Sequence, residues 1–265
     1  MLRYLLKRLL ALIPVLLGVA FLIFTMMYFT PGDPAAMVLG DQASEEQLNE
    51  WRAARDLDKP FLEQFGKYIW GIVSQGDFGI SYKTGKNVTS ALLERFPTTF
   101  VLAIATCVIA MVLGVLLGIL AANHQGTWID SVLRVFGMAG VSMPIFWLGL
   151  LMILWFAVDL KWFPVSGWYG PKYLVLPALT MGLTFTASLM RTTRSSMLDC
   201  IRQDYVITAR AKGQKERVIT YHHVFRNALI PIITAAGSAF GIALCGAVIT
   251  EQVFSIPGLG NLMVN

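Results

Sequence analysis

The chain has 265 residues, of which 56% are hydrophobic and only 14% charged, with a net charge of +5. Soluble domains carry about a quarter charged residues, so this composition, with a mean hydropathy of +0.63, excludes a disordered chain, a disulfide scaffold and an ordinary soluble enzyme. Long apolar runs make lipid the solvent for most of the chain. Cys107, Cys200 and Cys245 are far apart and match no metal-ligand spacing, so no metal site is expected.

A helix needs about 20 apolar residues to cross the hydrocarbon core. Five stretches qualify: 9–29, 98–122, 135–158, a shorter one at 173–190 that carries Pro177, and 228–250, which begins near Pro231. Backbone groups in lipid must be satisfied internally, so each span is expected to be helical. The first follows Arg3, Lys7 and Arg8. It is too long for the apolar core of a signal peptide, and no small-x-small cleavage site follows Phe29, so it reads as a retained anchor.

Between the first two spans, Ser44-Glu45-Glu46-Gln47 has the form of a capped helix start. After Pro60, the aromatic and aliphatic positions Phe61, Phe65, Tyr68, Ile69 and Ile72 recur at helical spacing, which predicts a second amphipathic helix. Gly79 to Asn87 imitates a phosphate-binding loop. It fails because five residues separate the glycines, Asn87 stands where Ser or Thr is needed, and no strand precedes it.

Orientation follows Lys and Arg. Residues 1–8 hold three, and 191–226 holds eight (Arg191, Arg194, Arg202, Arg210, Lys212, Lys215, Arg217, Arg226) against Asp199, Asp204 and Glu216. Residues 31–95 hold seven basic and ten acidic residues. Five spans with the N-terminus inside satisfy this pattern. They leave residue 265 outside, and a sixth helix is expected beyond it. In 191–226, Asp199 to Lys212 reads as a short helix, with Gly213 as its C-terminal cap and a second short helix from Glu216 to Phe225. Small residues on one side of Thr208 to Gly213 allow another protein to approach closely, and basic ones can pair with its acids. Basic inner loops are also common from orientation alone, but that accounts for scattered Lys and Arg, not a helix–Gly–helix layout. His222 and His223 read as partner-facing groups, not metal ligands.

The run Asp204-Tyr205-Val206-Ile207-Thr208-Ala209-Arg210-Ala211-Lys212-Gly213, followed by Arg226-Asn227-Ala228-Leu229-Ile230-Pro231, resembles the inner signature of ABC-importer permeases, in the dipeptide/oligopeptide/nickel branch. Thr208 stands where the wider family has Glu, and Pro231 falls later than the usual proline, as in the peptide branch. Pro31-Gly32-Asp33-Pro34, Gly76-Asp77-Phe78-Gly79, Arg95-Phe96-Pro97-Thr98-Thr99, Ser142-Met143-Pro144-Ile145-Phe146-Trp147, Arg194-Ser195-Ser196-Met197-Leu198 and Glu251-Gln252-Val253-Phe254-Ser255-Ile256-Pro257-Gly258 continue the resemblance in order.

The resemblance implies an all-α polytopic membrane protein with the type I ABC-importer permease fold. Residues 1–30 would form the tail and first span, 31–95 an external segment, and 96–265 a permease core with the coupling segment 199–226. Asp204, Tyr205, Thr208, Ala209, Arg210, Ala211, Lys212 and Gly213 would couple to an ATPase. Ser188, Thr234 and Ser238 are the expected pore-facing groups, and Glu251, Phe254, Pro257 and Gly258 the expected external gate or docking surface. The implied partners are a second permease of different sequence, two cytosolic ATPases, an external substrate-binding protein and membrane lipid, with no nucleic acid. No cofactor is expected on this chain, since ATP and Mg would sit on the ATPases. The implied location is a bacterial inner membrane. The cargo is expected to be di- or oligopeptides, or in close relatives nickel, metal chelates or glutathione.

Two alternatives of other kinds, a membrane anchor subunit that moves nothing and a channel, differ in requiring no coupled ATPase. The spans lack intramembrane Asp, Glu or His of the kind a proton or ion relay needs, so a gradient-driven carrier is not expected. Gly114-x-x-x-Gly118 and Gly237 to Gly241 allow close helix crossings, and both are expected to pack within the chain.

Overall fold

The computed structural model describes residues 2–40 and 42–264 and is helical throughout apart from turns and one isolated bridge, Ile80 to Asn87. The chain divides into two compact units, residues 1–94 and 95–265.

In the first unit, α1 (Leu2–Phe29) is long and apolar, and none of its most apolar stretch is buried against the chain. α2 (Pro34–Leu39) starts on the Asp33 side chain, which accepts from Ala35 N. α3 (Glu45–Ala53) opens with the complete capping box of Ser44 and Gln47. Asp33 also takes a two-pronged ion pair from Arg52 of α3, which ties α2 to α3. α4 (Phe61–Gln75) lays Phe61 and Phe65 edge-on against Phe21, Phe24 and Tyr28 of α1 at centroid separations from 5.1 to 5.6 Å. Such pairs add about 0.5–1.5 kcal/mol each beyond area burial, so the aromatic stripe is what docks α4. Residues 79–87 form a hairpin closed by Ser81 N donating to Lys86 O at 2.9 Å. Asn87 caps the next helix through Ser90 N.

The second unit is built around α8. α5 (Val88–Asn123) begins in the first unit and continues into the second. It crosses α8 (Pro171–Ile201) at Gly114 and Gly118: a Cβ on Gly114 would lie 2.7 Å from Leu189 Cβ, and one on Gly118 would lie 2.5 Å from Thr193 Cβ. This glycine pair therefore packs within the chain. Gly237 and Gly241 do not. A Cβ on either would meet no described atom within 4 Å, so their face of the helix is open, contrary to the expectation for that motif.

The third expected span is not one straight helix. α6 (Trp128–Ser142) and α7 (Ile145–Met152), the latter continued by a π-helical turn Ile153–Asp159, meet at 102°. The cause is Pro144: the residue before a proline is pushed out of the α region, and Met143 is extended at φ −77°, ψ 127°. Pro177 and Pro231 break nothing and lie inside α8 and α11 (Phe225–Gly246).

Two apolar clusters hold the unit. One joins Ala110, Ile119, Leu189, Met197, Val206, Ala209, Val224 and Ile232. The other, toward the opposite helix ends, joins Leu102, Leu176, Met181, Ala243, Phe254 and Ile256.

Candidate functional site

The basic segment forms a bent helix–turn–helix at one end of α8. α8 runs through Ile201 because Met197 and Leu198 are still buried there. The helix expected from Asp199 therefore starts later, as α9 (Asp204–Ala211), after a break at Arg202 and Gln203. Gly213 then takes φ +74°, a left-handed conformation that costs glycine little. The second expected short helix is not separate. α10 (Glu216–Val218) passes through a π-helical turn, Ile219–Val224, directly into α11, because Ile219 and Val224 are buried in the same cluster.

α9 is fastened by one face only. Val206 and Ala209 enter the core. The Tyr205 phenol lies beside Asn227 and Cys200, and partial burial pushes it above its ordinary pKa. Gln214 meets His223 Nε2 at 2.7 Å, and Arg210 makes a forked pair with Glu216 at 2.7 and 3.2 Å. That pair is exposed and contributes at most about 1 kcal/mol, so it shapes the turn more than it stabilises the fold.

Of the eight expected coupling residues, Asp204, Tyr205, Thr208, Arg210, Ala211, Lys212 and Gly213 are exposed. Ala209 is buried, so it seats the helix and has no surface for a partner. Sequence reasoning passed over Ile207, which is 59% exposed on a helix outside the membrane-spanning stretches. Its position, one step off the buried Val206 and Ala209 face, was the available signal.

Ser188, Thr234 and Ser238 are all exposed on this chain. The hydroxyls of Thr234 and Ser238 donate to carbonyls one turn back, at 2.9 and 3.1 Å. Both lie on the same open side of α11 as Gly237 and Gly241.

The far end is closed by a buried knot. α12 (Val248–Val253) and α13 (Leu259–Val264) flank a tight turn. Leu259 N donates to Thr99 Oγ1 at 2.8 Å, Thr99 donates to Glu251 Oε1 at 2.6 Å, and Asn261 N donates to Glu251 Oε2 at 2.9 Å. Gly258 lies so close that a Cβ there would overlap the carboxylate. Gly167 N donates to Phe254 O at 2.9 Å. Glu251, Phe254 and Gly258 are buried and Pro257 is half-buried. The expectation of a docking surface is corrected at Glu251, Phe254 and Gly258, which are buried and bind the chain to itself, while Pro257 keeps part of its surface.

One ion pair was not visible in the sequence. Asp130 in the first turn of α6 is 1% exposed and takes a forked bond from Arg194 of α8 at 2.6 and 2.8 Å. The partners are 64 residues apart, and nothing in the spacing links them.

A bundle of apolar spans, a polar helix–turn–helix segment at one end and an open face on α11 define a membrane-embedded protein of the permease type. The comparisons agree. Residues 114–265 match the family described as binding-protein-dependent transport system inner membrane component, and residues 1–103 match its N-terminal counterpart. The chain belongs to this family and is the permease subunit of an ABC importer, a multi-pass inner-membrane protein whose ATP is hydrolysed by separate subunits. The glutathione transport system permease protein GsiC of Escherichia coli K12 is 40% identical over 265 residues, covering 100% of this chain and 86% of that one. GsiC of Salmonella choleraesuis is 41% identical over the same shares. A solved amino acid ABC transporter overlaps more loosely, at 16% identity and a TM-score of 0.49 over 66% of this chain and 76% of that one.

Proposed function

We propose that this permease moves small peptides, glutathione among them, and is driven through α9 and the Gly213 turn. The observation that carries the coupling reading is the split of α9 into a buried face (Val206, Ala209) and an exposed face (Ile207, Thr208, Arg210, Ala211). A helix held on one side only can take a push on the other and pass it to α8 and α11. Two cytosolic ATPases that close on ATP and Mg supply the push, and this chain binds no cofactor itself. A second permease of different sequence faces the open side of α11. The pore then runs between the two chains, with Ser188, Thr234 and Ser238 facing it. An external binding protein delivers the cargo. The cycle is a two-state shift driven by differential contacts.

Both the N-terminus and α9 face the cytosol in this reading. The three cations of residues 1–8 and the eight of 191–226 support it, because positive segments stay inside. It requires an even number of crossings between them, which α1, α5, α8 and the bent α6–α7 pair provide if the pair counts once. The GsiC relatives support a small-peptide cargo.

The test uses the four-subunit complex in vesicles with its binding protein. ATP-dependent uptake of labelled dipeptides, tripeptides or glutathione is expected. Flux without ATP would instead mark a channel. Assembly with no flux would mark an anchor. Uptake of nickel chelates alone would overturn the peptide assignment.

A further inference from the structure

We propose that Asp130 is a positioning residue of the transport cycle. By gripping Arg194 it makes the base of α6 follow α8 and the coupling helix. The proposal rests on the coupling reading above and assigns a residue to the relay within it.

Three observations carry it. The first is the contact itself. Arg194 Nε and Nη2 reach Asp130 Oδ1 and Oδ2 at 2.6 and 2.8 Å, Gly126 N donates to Oδ2 at 3.1 Å, and Arg134 Nε stands 3.6 Å from Oδ1. A forked guanidinium–carboxylate pair fixes angle as well as distance. The carboxylate also holds the 124–127 turn through Gly126, so it ties together the end of the α5–α6 connection, α6 and α8.

The second is what lies above it. α6 touches α8 at Gly137 and Gly140, and beside that contact lies a cleft of about 510 Å³ bordered by Leu133, Phe136, Leu183 and Met190. Apolar contact is non-directional, so this packing brings the two helices together without a polar tie between them. The ion pair is the directional tie at the base.

The third is placement. Arg194 lies two turns before the end of α8, and α9 follows after Arg202 and Gln203, seated against Met197 and Leu198 in one cluster. Displacement of α9 therefore moves the helix segment that carries Arg194. α6 in turn leads to the 102° bend and α7.

A structural pair and a positioning pair differ in one respect. Exchanging a buried ion pair for apolar residues of similar volume is often neutral for stability, but it removes the fixed angle. The experiment compares wild type with the Asp130→Leu/Arg194→Met double variant in the assembled transporter. ATP hydrolysis and peptide uptake are measured in parallel on a di- and tripeptide mixture that includes glutathione. The expected result is normal assembly and near-normal hydrolysis, with uptake per ATP down roughly tenfold, within the usual range of coupling effects. Uptake per ATP equal to wild type would overturn the proposal.

If the double variant does not assemble, a cross-link decides. Gly140→Cys with Ala187→Cys, in a chain whose native cysteines are serine, joins α6 to α8. The Cβ of residue 140 would lie 3.2 Å from that of Ala187, near the roughly 3.5–4.5 Å of a disulfide. Oxidation that leaves uptake unchanged supports joint movement, and a block relieved by reductant refutes it. Absence of ATP-driven uptake in the wild type would remove the coupling reading itself, a result distinct from either.

Discussion

Glu251 shows how a single acid can be committed by its neighbours. Leu259 N can only donate, so Thr99 Oγ1 must accept from it and turn its own proton to Glu251. Asn261 N donates to the other oxygen. Both oxygens must therefore accept, which a carboxylate can do and an amide cannot. Glu251→Gln is expected to turn its amide N–H toward Thr99, whose hydroxyl can accept it but then loses the acceptor for its own proton, and to cost about 1–3 kcal/mol. Gly258→Ala is expected to cost about 1–3 kcal/mol by overpacking, because a Cβ there overlaps the same carboxylate. Thermal unfolding of each purified variant in detergent checks both. Asp33 behaves differently because it lies at the surface. Its hydrogen bond from Arg52, more than the backbone donors, holds its carboxyl below the ordinary pKa. A depressed folded-state value means that the contribution is present above the unfolded value of about 4 and is lost as pH falls through the lowered one. Hydrogen exchange over residues 33–53 is expected to rise in that acid window in wild type, and to show no such step in Asp33→Asn.

α9 is a short helix whose two faces predict opposite failures. Ile207→Asp places a charge on the exposed face, where fold stability should change by no more than about 0.5 kcal/mol. The expected loss is in association with the ATPases, measured by co-purification. Ala209→Asp buries an unpaired charge among Val206, Leu198 and Ile219, and the expected loss is in folding of that end, seen as a lower melting temperature. Gly213→Val meets no steric obstacle, since a Cβ there has nothing within 4 Å. Its penalty is backbone strain at φ +74°, of order 1–2 kcal/mol for a side chain in the left-handed region. Such a variant should stay in the membrane and hydrolyse ATP while transporting less per ATP. Unchanged peptide uptake per ATP would show that the turn is not part of the relay.

For the molecule as a whole, the question is which ends share a side of the membrane. A cysteine placed at Lys215 and one placed at Gln75 are expected to react with an impermeant thiol reagent from opposite sides. Reaction of both from one side would mean that the bent α6–α7 pair enters and leaves by the same face. α1 exposes its apolar surface along its length, which suits lipid or other helices and no aqueous setting.

The amino-acid pattern settled the solvent, the helical class, the capping box at Ser44, the aromatic stripe of α4 and the turn at Gly213. Each of these rests on local spacing, which apolar periodicity and turn chemistry write directly into the chain. Other features needed the folded chain. The seating of Ala209, the inward turn of Glu251, the open face at Gly237 and Gly241, and the Asp130–Arg194 pair all depend on which helix lies alongside. Helix contacts in lipid are decided by close packing and a few polar pairs between distant segments, and sequence separation carries no record of them.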